Sequence, residues 1–423
     1  MGDVAERVSE IVDKQREACL EFLQELVRHP SVLGHEASVQ DVMARTFRQM
    51  GLHTEVFDPD LSVINSLPGF SPVEWSYQGR PCVVGVWRSP TRHGRSLILN
   101  GHVDVVSPEP LGLWTRDPWG GALEGDRLYG RGTADMKAGV AAMVFAVKAI
   151  QAAGVQLDGD LILQSVLEEE CTGNGTLACL ARGYRADAAL IPEPFNLAAV
   201  AAQVGVMWLR VRVIGRGAHV MGAHAAVNAV DKSYVLIQAL RELEAEVNTS
   251  VAHPLYKDVV HPLNYNIGVI RGGDWPSTVP AECVFEARVS ALPGQKLEAV
   301  KARITERLTA AAAADPYLRD VPAELTFYGF HAEPMAIDPN QPAFVPLAAA
   351  HRQVTGQDLT WFASTATTDA RFFNLYFGIP ATCYGPVGEG LHAPDEHVEV
   401  ESIFTIAKVL ARYVLAWCGV ARG

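Results

Sequence analysis

The sequence predicts an α/β protein with a mainly parallel sheet, into which a second, α+β domain is inserted. Three observations carry that expectation. Near-continuous apolar runs at Ser96–Asn100, Asp160–Val166 and Ala188–Ile191 read as strands covered on both faces. They alternate with segments of helical periodicity, the order that builds parallel sheets. Between residues 203 and 332 the texture changes to half-solvated strands and amphipathic helices, and after 333 the first texture returns. The expected boundaries are therefore 1–202, 203–332 and 333–423, with the outer two pieces forming one domain.

Taken in order, residues 4–28 alternate charged and apolar side chains at helical spacing, and His29-Pro30 ends that helix. A second helix over 37–50 stops at Gly51. His53–Phe57 and Cys82–Trp87 read as strands, 105–130 as loop, and Met136–Gly154 as a long helix of mostly small apolar residues. Thr176–Arg182 is a short helix closed by Gly183. In the insert, strand Val204–Val213, helix Ala225–Val247, strands Asn264–Ile270 and Ala281–Ser290, helix Lys296–Ala314 and strand Ala323–Tyr328 give the βαββαβ order. Phe344–Thr355, Phe372–Tyr376, Ala381–Gly385 and Ile403–Trp417 complete the chain.

Composition narrows the function classes. A formal net charge of −13 without any Lys/Arg block argues against nucleic acid or an anionic membrane as partner. The amino-terminal stretch has no apolar core for a signal peptide or membrane span, and Met1-Gly2 lacks the Ser/Thr of a myristoylation site. Seven scattered Cys without a C-x-x-C read as buried thiols of a reducing, cytoplasmic compartment.

The chemistry gathers where strands end. His102 and Asp104 follow the first buried strand, two apart and so on one face of extended chain. A His that binds a metal usually donates its other ring N–H to a carboxylate, so the pair reads as a ligand with its orienter. Asp135 lies in the Gly-rich turn Gly130-Arg-Gly-Thr-Ala-Asp-Met-Lys, and Glu168-Glu169-Glu170 follows the next strand. Glu193 stands in Ile-Pro-Glu-Pro and His392 in Gly-Leu-His-Ala-Pro-Asp-Glu. Ligands of open α/β sheets collect at the carboxyl ends of the strands. Singly, each residue has a plainer use: Asp135 as a helix cap, the Glu triplet as a solvated loop. Together, two His and several carboxylates without Cys suit zinc or manganese.

The joint order HVD, GRGxxDMK, EEExxGxG, Glu before Pro and HAPDE resembles the co-catalytic metallohydrolase family of acetylornithine deacetylase, succinyl-diaminopimelate desuccinylase, aminoacylase-1 and carboxypeptidase G. That resemblance spans nearly the whole chain and implies a catalytic domain interrupted by a lid and dimerisation domain, in a homodimer. It implies one divalent metal on His102, Asp135 and Glu193 and a second on Asp135, Glu170 and His392, with Asp135 bridging next to a cis peptide to Met136. The ions would be Zn, Mn or Co. Two ions about 3.5 Å apart can share a water, lower its pKa and polarise a carbonyl. Glu169 resembles the general base, Asp104 the support of His102, and His219 the lid histidine that reaches the partner subunit's site. Asn266, Arg288 and Arg371 match positions that hold substrate, where an Arg fork suits a carboxylate.

The expected activity is hydrolysis of the C–N amide bond of an N-acyl amino acid or similar small carboxylate. The lid sequence HVMGAHAAVNAV, with an extra His224, departs from the family pattern, and Trp361, Phe362, Phe372 and Phe373 flank Thr367-Thr-Asp-Ala-Arg371. If these aromatics face the cleft, an apolar or aromatic substrate is favoured. Two alternatives follow: a hydrolytic deaminase of an activated aromatic amine such as a nitroanthranilate, and a dipeptidase. A non-catalytic binding protein would be expected to have lost ligands or base, and none is missing.

Overall fold

The computed structural model describes residues 2–421. Six strands form the central sheet: β1 (His53–Phe57), β2 (Cys82–Trp87), β3 (Leu97–His102), β4 (Leu161–Val166), β5 (Ala188–Ile191) and, after the insert, Ala381–Cys383. Their spatial order is β1-β2-β4-β3-β5 and then Ala381–Cys383. Only β2 runs against the rest. Every residue of β3, β4 and β5 is buried, which is why these strands lack alternation in the sequence. The helix Ala138–Ala152 packs between the amino-terminal helices and the carboxy-terminal helix Val400–Cys418. Enclosed on all sides, it needs no polar face, and its many Ala residues let these neighbours approach closely.

In the insert, strands Gly205–Ile214, Asn266–Gly272, Glu282–Ala291 and Glu324–Ala332 make an antiparallel sheet, and helices Ala229–Thr249 and Leu297–Ala314 pack on it and on each other. The buried apolar side chains fall into two clusters. One draws on residues 8–200 and 335–418, the other on 202–332 alone. The mixed α/β architecture with a mostly parallel central sheet is thus the one the sequence predicts.

Three local expectations change. The first helix is two, Gly2–Lys14 and Arg16–Val27, broken at Gln15; both halves pack on Ala138–Ala152, the first also on the carboxy-terminal helix and the second also on the Thr133–Lys137 turn. The insert's first helix starts at Ala229 because the Asn228 side chain accepts from the Val230 and Asp231 amides. Ala199–Gln203, too rich in Ala to announce a strand, pairs with Met335–Ala336 and Trp361–Ser364 where the two clusters meet.

Candidate metal centre

Strand β3 delivers His102 to the carboxyl edge of the sheet with only 1% of its surface exposed. Its Nδ1 lies 2.9 Å from the main-chain oxygen of Asp104. A carbonyl can only accept, so Nδ1 carries a proton and Nε2 is the nitrogen turned to the cleft. Nε2 stands 3.2 Å from Asp135 Oδ1 and 3.6 Å from Glu193 Oε1. Asp104 therefore orients His102 through its backbone; its carboxylate is 3.6 Å from Nδ1 and accepts instead from the amides of Glu169 (3.3 Å) and Glu170 (3.1 Å). This corrects the expected carboxylate–histidine pair.

Asp135 sits in a tight turn whose Gly132 has φ +81° and would bring a Cβ to 2.4 Å from Val105. The Asp135–Met136 peptide is cis. Glu396 holds the turn: its Oε1 accepts from the amides of Ala134 (3.0 Å) and Asp135 (3.1 Å), while Arg131 pairs with its other oxygen. Lys137 is fully buried, donates to the carbonyls of Leu26 and His29, and burial pushes its pKa down to about 7. Glu396, Arg131 and Lys137 were not singled out from the sequence, although all three lie within the motifs that were.

The acidic triplet divides. Glu168, with φ +64°, turns inward and is fully buried. Glu169 and Glu170 turn toward the cleft. The solvated-loop reading of the triplet fails because burial holds at least Glu168 and Glu169 away from water. His392 arrives from the far end of the chain, its Nε2 3.1 Å from Glu170 Oε2 and 3.5 Å from Asp135 Oδ2. Asp135 thus offers one oxygen to each histidine. Donor atoms sharing a tetrahedral ion at about 2.0–2.2 Å stand roughly 3.3–3.6 Å apart, close to these separations. His102, Asp135 and Glu170 form one cluster with donors within 4.8 Å, and His102, Glu169 and Glu193 another.

Electrostatics fit a cation. Burial pushes the carboxyls of Glu169 and Glu193 well up, and neighbouring carboxylates add to the shift. Burial pushes Asp104 up to about 7. Burial opposes the charge on His102, but Glu193, Asp135 and Asp104 outweigh it and raise that pKa; Glu170 foremost pushes His392 up to about 11. Asp135 is held low by the two histidines despite its burial. Oε1 of Glu169 and Oε1 of Glu193 are buried without a hydrogen-bond partner. Orphaned carboxylate oxygens among two imidazoles are an oxygen- and nitrogen-donor set suited to zinc, manganese or cobalt.

These groups open into a cleft of about 300 Å³ lined by Asp135, Glu169, Glu170, Glu193 and His392 together with Pro194, Phe195, Ala366, Thr367, Thr368 and Leu391. Phe195, whose ring meets Phe362 edge-on at 5.4 Å, is the aromatic at the site. Phe372 and Phe373 are core. Arg371, expected at substrate, is fully buried and gives its donors to the carbonyls of Thr172 and Thr368, with Asp369 at 3.5 Å. Arg288 reaches the same region differently. It donates to the carbonyls of Asn264 and Thr365, meets no carboxylate among the described residues, and burial lowers its pKa to about 10. Asn266 is exposed at the start of an edge strand, opposite Arg288. His219 does not line the cleft; it is exposed on a short ribbon paired with Thr278–Val279, its Nδ1 accepting from the Met221 amide.

A sequence model described as peptidase family M20/M25/M40 matches residues 98–416. The chain is 29% identical to N-formyl-4-amino-5-aminomethyl-2-methylpyrimidine deformylase of Halalkalibacterium halodurans, over 98% of both chains. Identity with the Bacillus subtilis protein of the same name is 31%, over 83% of this chain and 86% of that one. With succinyl-diaminopimelate desuccinylase of Methylocella silvestris it is 29%, over 93% and 96%. The fold matches a dipeptidase of Saccharomyces cerevisiae at a TM-score of 0.84, with 15% identity over 99% of both chains.

Proposed function

The chain belongs to peptidase family M20/M25/M40 and is a metal-dependent hydrolase of amide bonds, and on that premise we propose how its residues divide the work. One ion would be held by His102, Asp135 and Glu193 and the other by Asp135, Glu170 and His392, a donor set that fits Zn, Mn or Co. The observation that carries this reading is Asp135 between two imidazoles, Oδ1 toward His102 and Oδ2 toward His392. Bound divalent ions would acidify water and polarise the scissile carbonyl. Glu169 takes the proton of the attacking water and returns it to the leaving nitrogen, and burial raises the proton affinity of its carboxylate. Asp104 and Glu396 hold the backbone beneath the ligands. The division at 202/203 and 332/333 into catalytic domain and lid, with His219 completing a partner subunit's site in a cytoplasmic homodimer, belongs to the same proposal.

The substrate is a small N-acylated amine. The desuccinylase relatives, and an Arg288 guanidinium that meets carbonyls but no carboxylate among the described residues, support an N-acyl amino acid or similar carboxylate. A second reading is supported by Phe195 in the cleft and by the deformylase relatives: a formamide on a flat, aromatic amine without a carboxylate. The test is chelation, reconstitution with Zn, Mn or Co, and a panel of N-formyl, N-acetyl and N-succinyl compounds, dipeptides and aminobenzoates, with the released group identified. Carboxylic acid plus amine supports the proposal; ammonia from an aminobenzoate alone refutes amide cleavage. Glu169→Gln is expected to bind metal and lose turnover by about 10²–10⁴-fold.

A further inference from the structure

We propose that Glu168 is a positioning residue for Glu169, held in place by the segment 71–80. The inference rests on the reading of Glu169 as the general base. Glu168 has no surface in the cleft, yet its carboxylate is the most heavily bonded acidic group beside the site. It accepts from Trp75 Nε1 at 2.6 Å, Tyr77 Oη at 2.5 Å and Thr172 Oγ1 at 2.8 Å, and Arg80 pairs with it at 2.7 Å. Three of those four donors come from one stretch of ten residues. Arg80 in turn is forked onto buried Glu36.

This arrangement fixes a direction. With Glu168 in the left-handed region, its side chain points into the domain while the next two residues face the cleft. Its main-chain oxygen accepts from the amides of Thr172 (2.9 Å) and Gly173 (2.6 Å), closing the loop, and Asp104 grips the Glu169 and Glu170 amides from the other side. Gly173 leaves no room for adjustment: a Cβ there would lie 2.3 Å from Arg371 and 2.5 Å from Asp369. A base displaced by about 1 Å loses on the order of 10²-fold in rate. The segment is also tied to the insert, since Ser71 Oγ accepts from the His331 amide and donates to the Thr172 carbonyl, both at 3.1 Å.

The test compares Glu168→Gln, the single variant Trp75→Phe and the double variant Trp75→Phe/Tyr77→Phe with Leu410→Ala, a core change in the carboxy-terminal helix. Each holoenzyme is assayed for kcat and KM, each chelated protein for zinc binding by calorimetry, and each for Tm. The expected result for Glu168→Gln is a kcat lower by about 10- to 100-fold at nearly constant KM, and zinc affinity weakened by about tenfold at one of two sites. The aromatic variants show smaller losses of the same kind, and Leu410→Ala keeps its kcat at temperatures where it is folded. Wild-type kcat and zinc affinity in Glu168→Gln, or losses that merely follow Tm as in Leu410→Ala, overturn the proposal. An inactive Glu169→Gln beside an intact Glu168→Gln refutes positioning alone, whereas an active Glu169→Gln refutes the mechanism beneath it.

Discussion

Chelated, metal-free protein is expected to lose stability as the pH rises from about 4 to about 7. Asp104 sets the scale. In the unfolded chain it titrates near 3.8, but buried in the fold, facing Glu170 and Glu36 as well as His102, it holds its proton to about 7. Between those values the folded state binds more protons than the unfolded state, so stability falls with rising pH. The slope approaches 1.4 kcal/mol per pH unit, or about 4 kcal/mol across the whole window. Glu169 and Glu193, also raised, act in the same direction. The histidines agree: their raised pKa values contribute stability that is complete below about 6.5 and lost toward the value near 11 of His392. Asp135 opposes only on acidification through its depressed pKa, and Lys137, which burial lowers to about 7, opposes only above that pH. At roughly 2 °C per kcal/mol for a domain of this size, Asp104 by itself lowers Tm by about 8 °C. Calorimetric scans in chelator at three pH values measure this. Repeating them with zinc should give a Tm increment that grows with pH, because ligands must be deprotonated to bind. A metal-free Tm that is flat or rising over that range, or a zinc increment independent of pH, refutes the account of the cluster.

Three further outcomes follow from named contacts. Arg131→Met leaves Glu396 charged and buried beneath the Asp135 turn, so denaturant unfolding should show a loss of about 3–5 kcal/mol. Arg288→Met should raise KM at least tenfold for carboxylate-bearing amides and leave neutral formamides unchanged; equal effects on both would remove Arg288 from substrate recognition. His219→Ala and Glu169→Gln, each inactive alone, should regain turnover when co-folded if His219 serves the partner subunit's site, and no recovery refutes that role.

Strand ends and motif spacing are local properties, so the sequence by itself determined a mainly parallel sheet with candidate ligands along its carboxyl edge. That His102, Asp135, Glu170, Glu193 and His392 converge was legible because each follows a buried strand or lies in a Gly-rich turn. The βαββαβ order of the insert was legible for the same reason: its strands alternate and its helices repeat. Hydrogen-bond partners are another matter, since any buried carboxylate needs donors but nothing local names them. Only the tertiary structure decided that Asp104 holds two amides rather than an imidazole ring, and that Arg371 is consumed by carbonyls of its own domain. It likewise decided that three adjacent glutamates separate into one anchor and two cleft residues. The donors that make the difference, Trp75, Tyr77 and Arg80, are about ninety residues away and come into reach only when the sheet is assembled.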